Sequence, residues 1–426
     1  MRQSFAFGRT GIEIELPGGY DYRLLEARSA EPLDDPLRAI EDSLGYLAVI
    51  AQGKRSAAIS VCDITRPAPN RLTLPPILRR LAGAGIPRHA VTLLIATGLH
   101  RPATDAEIHE IAGEEIAHSY RVVNHNARAL SEHTCLGTTG GGTPVYIDSR
   151  FIDADLHITL GFIEPHLMLG FSGGRKLIAP GLAAQETIKV LHSPKFMRDP
   201  RAAEGSIAGN PLHRELLEIA RMARHDFLLD VALTRERRIA GVFAGRPEEA
   251  HARGVEFVSR VMYEELDEPV DAVITTAAGY PLDLTYYQAI KGITAAASLL
   301  KPGAPLLLMA QCEEGCGAPE FNRMVREAVP AGEFLDRLPG RPVVVDQWQL
   351  EKLALVARRH PIFYYVPGLP LEYHEGLWGR VFPTASAAVE ALCASLPARA
   401  RVALIPEGPY VLASTREHGA ARPAVP

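Results

Sequence analysis

Residues 56–98 read SAAISVCDITRPAPNRLTLPPILRRLAGAGIPRHAVTLLIATG, and their pattern decides the fold class. SAAISVCDI (56–64) is a short, nearly unbroken apolar run, too brief for a helix, and it predicts a strand buried on both faces. TRPAPN (65–70) carries two prolines and reads as a loop. PPILRRLAGAGI spaces its apolar residues at helical intervals, and AVTLLIATG is a second buried run that stops at Gly98. A buried strand, a helix and another buried strand form the repeating unit of a parallel sheet, so the chain is expected to be α/β.

The same alternation continues in both directions. Upstream, GIEIELP (11–17) alternates apolar and polar residues as a half-buried strand does. Downstream, Thr104 with Glu107 three residues later makes a capping box that opens a helix. DADLHITLGFI (153–163) predicts a strand that turns at Pro165. NPLHRELLEIARMAR (210–224) is an amphipathic helix with Asn210 as cap and Pro211 at its first position. FLLDVAL and GVFAG are adjacent strands, and residues 246–266 read as one long helix. The acidic, proline-containing EELDEPVD marks a domain boundary near 268. Beyond it, strands are expected at DAVITTAAGYP, PLLLMAQ, PVVVD, FYYV and RVALIP, with helices over 285–300, 347–358 and 384–395. These spans give an N-terminal α/β domain (1–267), a C-terminal α/β domain (268–400), and a final strand with a polar, frayed tail (401–426). Two such domains place the active site in the cleft between them.

Composition narrows the function classes. The chain has 426 residues, 47% hydrophobic and 22% charged, which excludes disordered and fibrous classes. A formal net charge of -5 argues against a general nucleic-acid binder, and no apolar run is long enough for a membrane span. Five scattered cysteines do not form a disulfide framework, and with no signal-peptide pattern at the start they point to the cytoplasm.

Three loops place unusual side chains directly after buried strands, where α/β proteins build ligand sites. The first, Cys62-Asp63-Ile64-Thr65-Arg66-Pro67, offers an acid and a base that could bind an anion or pair with each other. In the second, Thr97-Gly98-Leu99-His100-Arg101-Pro102, a histidine emerges from a strand end as a general base would. The third runs from Glu164-Pro165-His166 through Ser172-Gly173-Gly174-Arg175-Lys176 to His192. Its Ser-Gly-Gly could make a backbone nest for phosphate, and its lysine could be a covalent attachment point. It matches neither a Walker A loop nor a dinucleotide fingerprint, and no HExxH or paired CxxC supports zinc. His109, His118, His125 and His133 fit surface helices or loops. In the C-terminal half, Gln288 and Lys291 share a helix face and could grip a carboxylate, while Tyr287 and Trp348 could wall a small pocket.

Taken in order, DxTRP (63–67), TGLHRP (97–102), EPHLMLGFSGGRKLIAPG (164–181), LHSP (191–194), YYQAIKG (286–292) and DQW (346–348) resemble the nickel-pincer nucleotide enzymes, the lactate racemase family. Each motif alone is weak; the ordered set, spanning most of the chain, is specific. The resemblance implies a racemase or epimerase of a 2-hydroxy acid: lactate, a longer 2-hydroxy acid, a malate-like diacid or a sugar acid. It implies a nickel-pincer nucleotide, the pyridinium-3-thioamide-5-thiocarboxylic acid mononucleotide, joined covalently to Lys176 and carrying Ni(II), with His192 as a metal ligand. His100 and His166 would be the two acid/bases; Asp63, Thr65, Ser172, Gly173 and Gly174 would lie on the cofactor side. Arg66, Gln288, Lys291, Tyr287 and Trp348 would face the substrate. Maturation proteins that build the cofactor are implied as partners, with no nucleic acid or membrane. Two other readings stay open on the residues alone: a zinc-dependent hydrolase or lyase using the same histidines, and a non-catalytic protein that binds a carboxylate through Arg66 and Lys291.

Overall fold

The computed structural model describes residues 1–26, 28 and 30–415. Among these, one compact unit, the central unit, holds the chain up to Leu191 from residue 30 onward together with Arg201–Val261. The other, the C-terminal unit, holds Met1–Arg28, His192–Pro200 and the chain from Met262.

The central unit is built on a six-stranded sheet in the order Ile239–Gly245, Phe227–Leu233, His157–Phe162, Ala57–Cys62, Val91–Ala96, Arg121–Asn124. All neighbours are parallel except the Phe227–Leu233/Ile239–Gly245 pair. Every residue of Ala57–Cys62 and His157–Phe162 is buried, as strands covered on both faces must be. The strand order reverses between these two strands. Such a switch point opens a crevice at the carboxyl ends of the strands, and ligands of doubly wound sheets bind there.

The C-terminal unit repeats the plan with a wholly parallel sheet: Arg380–Val381, Ile362–Tyr365, Leu306–Met309, Ala272–Thr276, Arg401–Ile405, Asp21–Leu24. The helix Tyr286–Ala297, capped by the Thr285 hydroxyl, buries Tyr286, Ala289, Ile290 and Ile293 in this unit's main core.

The division differs from the expected boundaries at both ends. Residues 1–28 belong with the C-terminal unit: Arg2–Phe5 and Ile12–Glu15 form a hairpin whose Phe5 and Ile14 join a core with Ile274 and Leu404, and Asp21–Leu24 completes the sheet beside Arg401–Ile405. Arg401–Ile405 is therefore an interior strand, not an appendage. The helix expected over 246–266 stops at Met262, and Tyr263–Leu266 pairs as a strand with Leu412–Thr415. That pairing orders Ser414 and Thr415, which open the segment expected to fray; residues 416–426 lie outside the described residues. PVVVD is not a strand but a turn, held by the Gln347 side chain, which accepts from the Val344 amide at 2.7 Å.

Candidate active site

Three loops of the central unit leave the carboxyl ends of adjacent sheet strands and carry the first set of expected residues. Asp63 follows Ala57–Cys62 and is buried; its Oδ2 lies 2.7 Å from His100 Nδ1, on the turn after Val91–Ala96, and its Oδ1 accepts the Thr65 hydroxyl at 2.7 Å. Burial pushes the Asp63 carboxyl up, but the His100 ring, the Arg66 charge and the Thr65 hydroxyl outweigh it and hold the group below its ordinary range. The pair is thus a carboxylate facing an imidazole. A carboxylate only accepts, so the hydrogen sits on Nδ1 and the exposed ring keeps Nε2 as an acceptor. The His100 turn is fixed further by Thr97, whose hydroxyl donates to His125 O at 2.7 Å, and by Gly98, whose amide donates to Gly181 O at 3.0 Å.

His166 stands on a two-residue strand, Pro165–His166, paired with Gly170–Phe171. Its Nδ1 accepts long hydrogen bonds from the Met168 and Leu169 amides, 3.5 and 3.4 Å. That contact favours the opposite tautomer from His100, with the hydrogen on Nε2.

The Ser172–Lys176 segment follows directly. From Phe171 to Ala179 only Lys176 is partly exposed; its neighbours are buried. Ser60 on the central strand donates to Leu177 O at 2.8 Å, tying the segment to the sheet. Arg175 turns inward, donating to Leu169 O and Phe171 O at 3.2 Å and to His251 Nε2 at 2.7 Å. Burial pushes the buried Cys62 thiol up to about 12, and the thiol also feels Asp63, Arg66, Asp230 and Lys176, which places those four charges around one strand end.

The phosphate nest expected at Ser172-Gly173-Gly174 takes another form. The Ser172 hydroxyl donates to Phe162 O and accepts from the Glu164 amide, and its own amide donates to Glu164 O. All three residues are buried, and the Gly174 amide is directed at Asp230. As folded, this turn closes on its own chain and presents the lysine.

The C-terminal unit gathers a second set. The His192 ring packs on Trp348 with centroids 4.4 Å apart, and Trp348 Nε1 donates to the Tyr287 hydroxyl at 3.2 Å. Three distant segments therefore meet. Further along the same segment, Arg198 Nε donates to the buried Glu351 at 2.7 Å and its Nη2 donates to Leu335 O. Gln288 and Lys291 lie three residues apart on the helix that begins at Tyr286, and Gln288 Oε1 is buried without a hydrogen-bond partner among the described residues.

Two readings of the sequence need amendment. Asp63 orients His100, a pairing that residues 37 apart do not announce until adjacent strands align them. His125 is not a surface residue; it is buried, with Nδ1 on Asp148 at 3.1 Å and Nε2 on Ala183 O at 3.0 Å. Asp230, buried against the lysine turn, shows in the sequence only as an interruption of an apolar strand.

Comparison with known proteins settles the family. Residues 7–205 match the lactate racemase N-terminal domain, and residues 266–413 match the lactate racemase C-terminal domain. The chain belongs to the lactate racemase family. It is 33% identical over 378 residues to the lactate racemase of Thermoanaerobacterium thermosaccharolyticum, covering 86% of this chain and 88% of that protein. It is also 33% identical over 393 residues to the lactate racemase of Lactiplantibacillus plantarum, covering 91% of each. The structure of the T. thermosaccharolyticum lactate racemase apoprotein superposes with a TM-score of 0.89 at 30% identity, over 98% of this chain and all of that one. A Thermotoga maritima protein, 16% identical with a TM-score of 0.68 over 91% of this chain, shares the fold. As a member of the lactate racemase family the protein is an isomerase, which leaves the hydrolase and pure-binding readings without support. The family depends on a nickel-containing cofactor. Within the central unit, Lys176 is the partly exposed residue of an otherwise buried turn; within the C-terminal unit, the His192 imidazole, a donor type suited to Ni(II), packs on Trp348. No helix among the described residues is long and apolar enough to cross a membrane.

Proposed function

We propose that the protein interconverts the two enantiomers of a 2-hydroxy acid, with lactate as the first candidate, using a nickel-pincer nucleotide attached to Lys176 and ligated through His192. The Asp63–His100 pair at the sheet's switch point is the observation that carries this reading. The chemistry supplied by the bound cofactor is reversible acceptance of the hydride from the substrate Cα, which leaves a planar 2-keto acid.

The chain's own residues handle the proton and the carboxylate. Enantiomers direct their hydroxyl to different sides, so each needs a proton acceptor within about 2.6–3.2 Å. His100, with Nδ1–H held by Asp63, takes a hydroxyl proton at Nε2 from one enantiomer. His166 would serve the other enantiomer, giving a proton to its hydroxyl oxygen as an imidazolium and returning to the neutral ring, with the long amide contacts at Nδ1 giving way. Reversal exchanges the two roles, which suits a racemase. Arg66, Gln288 and Lys291 bind the carboxylate, and Tyr287 and Trp348 line the substrate site. Maturation proteins supply the cofactor before any of this can operate.

The test is chiral analysis of protein co-expressed with cofactor-maturation proteins, incubated separately with single enantiomers of lactate, longer 2-hydroxy acids, malate and sugar acids. Lactate is expected to racemise, and Lys176→Ala is expected to lose both the activity and the covalent adduct. Unchanged enantiomers throughout the panel, in protein that carries the adduct, would refute the proposal.

A further inference from the structure

Asp230 sits in the middle of the strand Phe227–Leu233, fully buried, and neither carboxylate oxygen makes a hydrogen bond of ordinary geometry among the described residues. A buried carboxylate without partners is costly, and its presence calls for a reason. The two faces of the strand supply one. Phe227, Leu229 and Val231 point into the core of the central unit. Leu228 and Asp230, on the other face, pack against the turn that carries Lys176: a Cβ on Gly174 would lie 2.6 Å from Leu228, and one on Gly173 would lie 2.4 Å from Asp230 Oδ2. A Cβ on Gly161, in the neighbouring strand, would lie 2.9 Å from Oδ1. Two glycines, Gly161 and Gly173, thus make room for this one carboxyl group, and Gly174 makes room for Leu228 beside it.

The groups turned toward it are positive. The Gly174 amide is directed at the carboxylate, and the Arg175 guanidinium, itself buried with Nε unpartnered among the described residues, attracts it. Gly173 and Gly174 both have positive φ, +83° and +46°, a backbone conformation that glycine adopts without steric cost. Peptide turns of this kind bind anions. Here the anion facing the turn is a side chain of the same protein.

We propose that Asp230 is a positioning residue whose carboxylate, through the Gly174 amide and the Arg175 charge, holds the Gly173–Lys176 turn in the shape that presents Lys176. The role in cofactor attachment rests on the reading of Lys176 as the attachment point; the hold on the turn does not.

Asp230→Asn tests it, because the amide has the same shape and removes a buried charge, so the variant keeps its fold and melts at the same or a higher temperature. Amide hydrogen exchange of the full chain at pH 8, read by mass spectrometry, is expected to rise about tenfold within residues 172–178 and to stay at wild-type rates in the strands. In protein co-expressed with its maturation partners, the fraction bearing an adduct on Lys176 is expected to fall about fivefold or more, the order set by the tenfold loosening of the turn. Wild-type exchange across 172–178 in Asp230→Asn overturns the inference. Raised exchange with a wild-type adduct fraction overturns the link to Lys176. An adduct that persists in Lys176→Ala instead defeats the attachment reading, and leaves the exchange result to stand alone.

Discussion

Because a carboxylate can only accept hydrogen bonds, the 2.7 Å contact between Asp63 Oδ2 and His100 Nδ1 fixes which ring nitrogen carries hydrogen and which is left to act on a substrate. Asp63→Asn keeps the shape of the contact but offers an amide that can donate to Nδ1, stabilising the wrong tautomer. Its kcat is expected to fall by ~10²–10⁴-fold with the circular dichroism and the Lys176 adduct unchanged. A rate within about threefold of wild type would show that the ring's orientation does not matter, well below the usual size of general-base effects. At this scale the sequence was a partial guide. DxTRP and TGLHRP each flagged a residue, yet the hydrogen bond between them exists only because Ala57–Cys62 and Val91–Ala96 pair in parallel register and end together. Ser172 shows the reverse: its hydroxyl looked available in the sequence and is spent inside its own hairpin.

At the scale of elements, the segment His192–Pro200 shows how a short stretch is claimed by a distant one. Phe196 and Met197 are buried, and Arg198 reaches Glu351 on the helix Gln347–Ala357. Burial pushes the Glu351 carboxyl up despite Arg198 beside it, so the arginine is needed to keep a charge there. Arg198→Ala strands that carboxylate and is expected to lower stability by about 3 kcal/mol. Arg198 is one-third exposed, so solvent will offset part of this and the figure stands at the lower end of the range for broken buried pairs. Urea unfolding measures it, and a loss below about 1 kcal/mol would mean the pair behaves like a surface one. Long periodic elements were legible: the capping box at Thr104 and the Asn210-Pro211 start both form as the sequence indicates. PVVVD was not, since a run of valines has high strand propensity, and Gln347, three residues after Val344, makes it a turn by accepting from the Val344 amide and donating its own amide to Val344 O. The helices Pro319–Arg326 and Ala331–Arg337 are also not legible in the sequence; each is too short for its apolar spacing to stand out.

At the scale of the whole molecule, the alternation of buried runs and amphipathic stretches gave the α/β class, but not which strands join which sheet. Asp21–Leu24 is polar and partly exposed, and nothing in it announces a partner 380 residues away at Arg401–Ile405. The buried ionisable groups give the central unit a definite acid response. Burial holds His213 and His225 down at about 3 and His251 well below its ordinary value. A depressed histidine contributes stability above the unfolded value of about 6.5, and that contribution is lost as pH falls from there toward 3. Asp230, pushed up by burial to about 7, opposes them: its contribution is present below about 3.9 and is lost as pH rises toward 7. Three histidines against one carboxyl leave a net loss on acidification. The melting temperature is expected to fall between pH 6.5 and 4, and more steeply in Asp230→Asn, which lacks the opposing group. A flat profile across this interval in both proteins would contradict the assignment of these buried groups.

Racemisation by hydride transfer makes a demand that proton abstraction from Cα does not: the hydrogen removed from the substrate must be the one that returns. Incubating one enantiomer of lactate deuterated at C2 with cofactor-loaded enzyme in ordinary water, and reading the product by chiral chromatography coupled to mass spectrometry, measures this directly. The opposite enantiomer is expected to form with its deuterium retained. Formation of that enantiomer with hydrogen from solvent in place of deuterium, or its failure to form at all, would contradict the proposed chemistry.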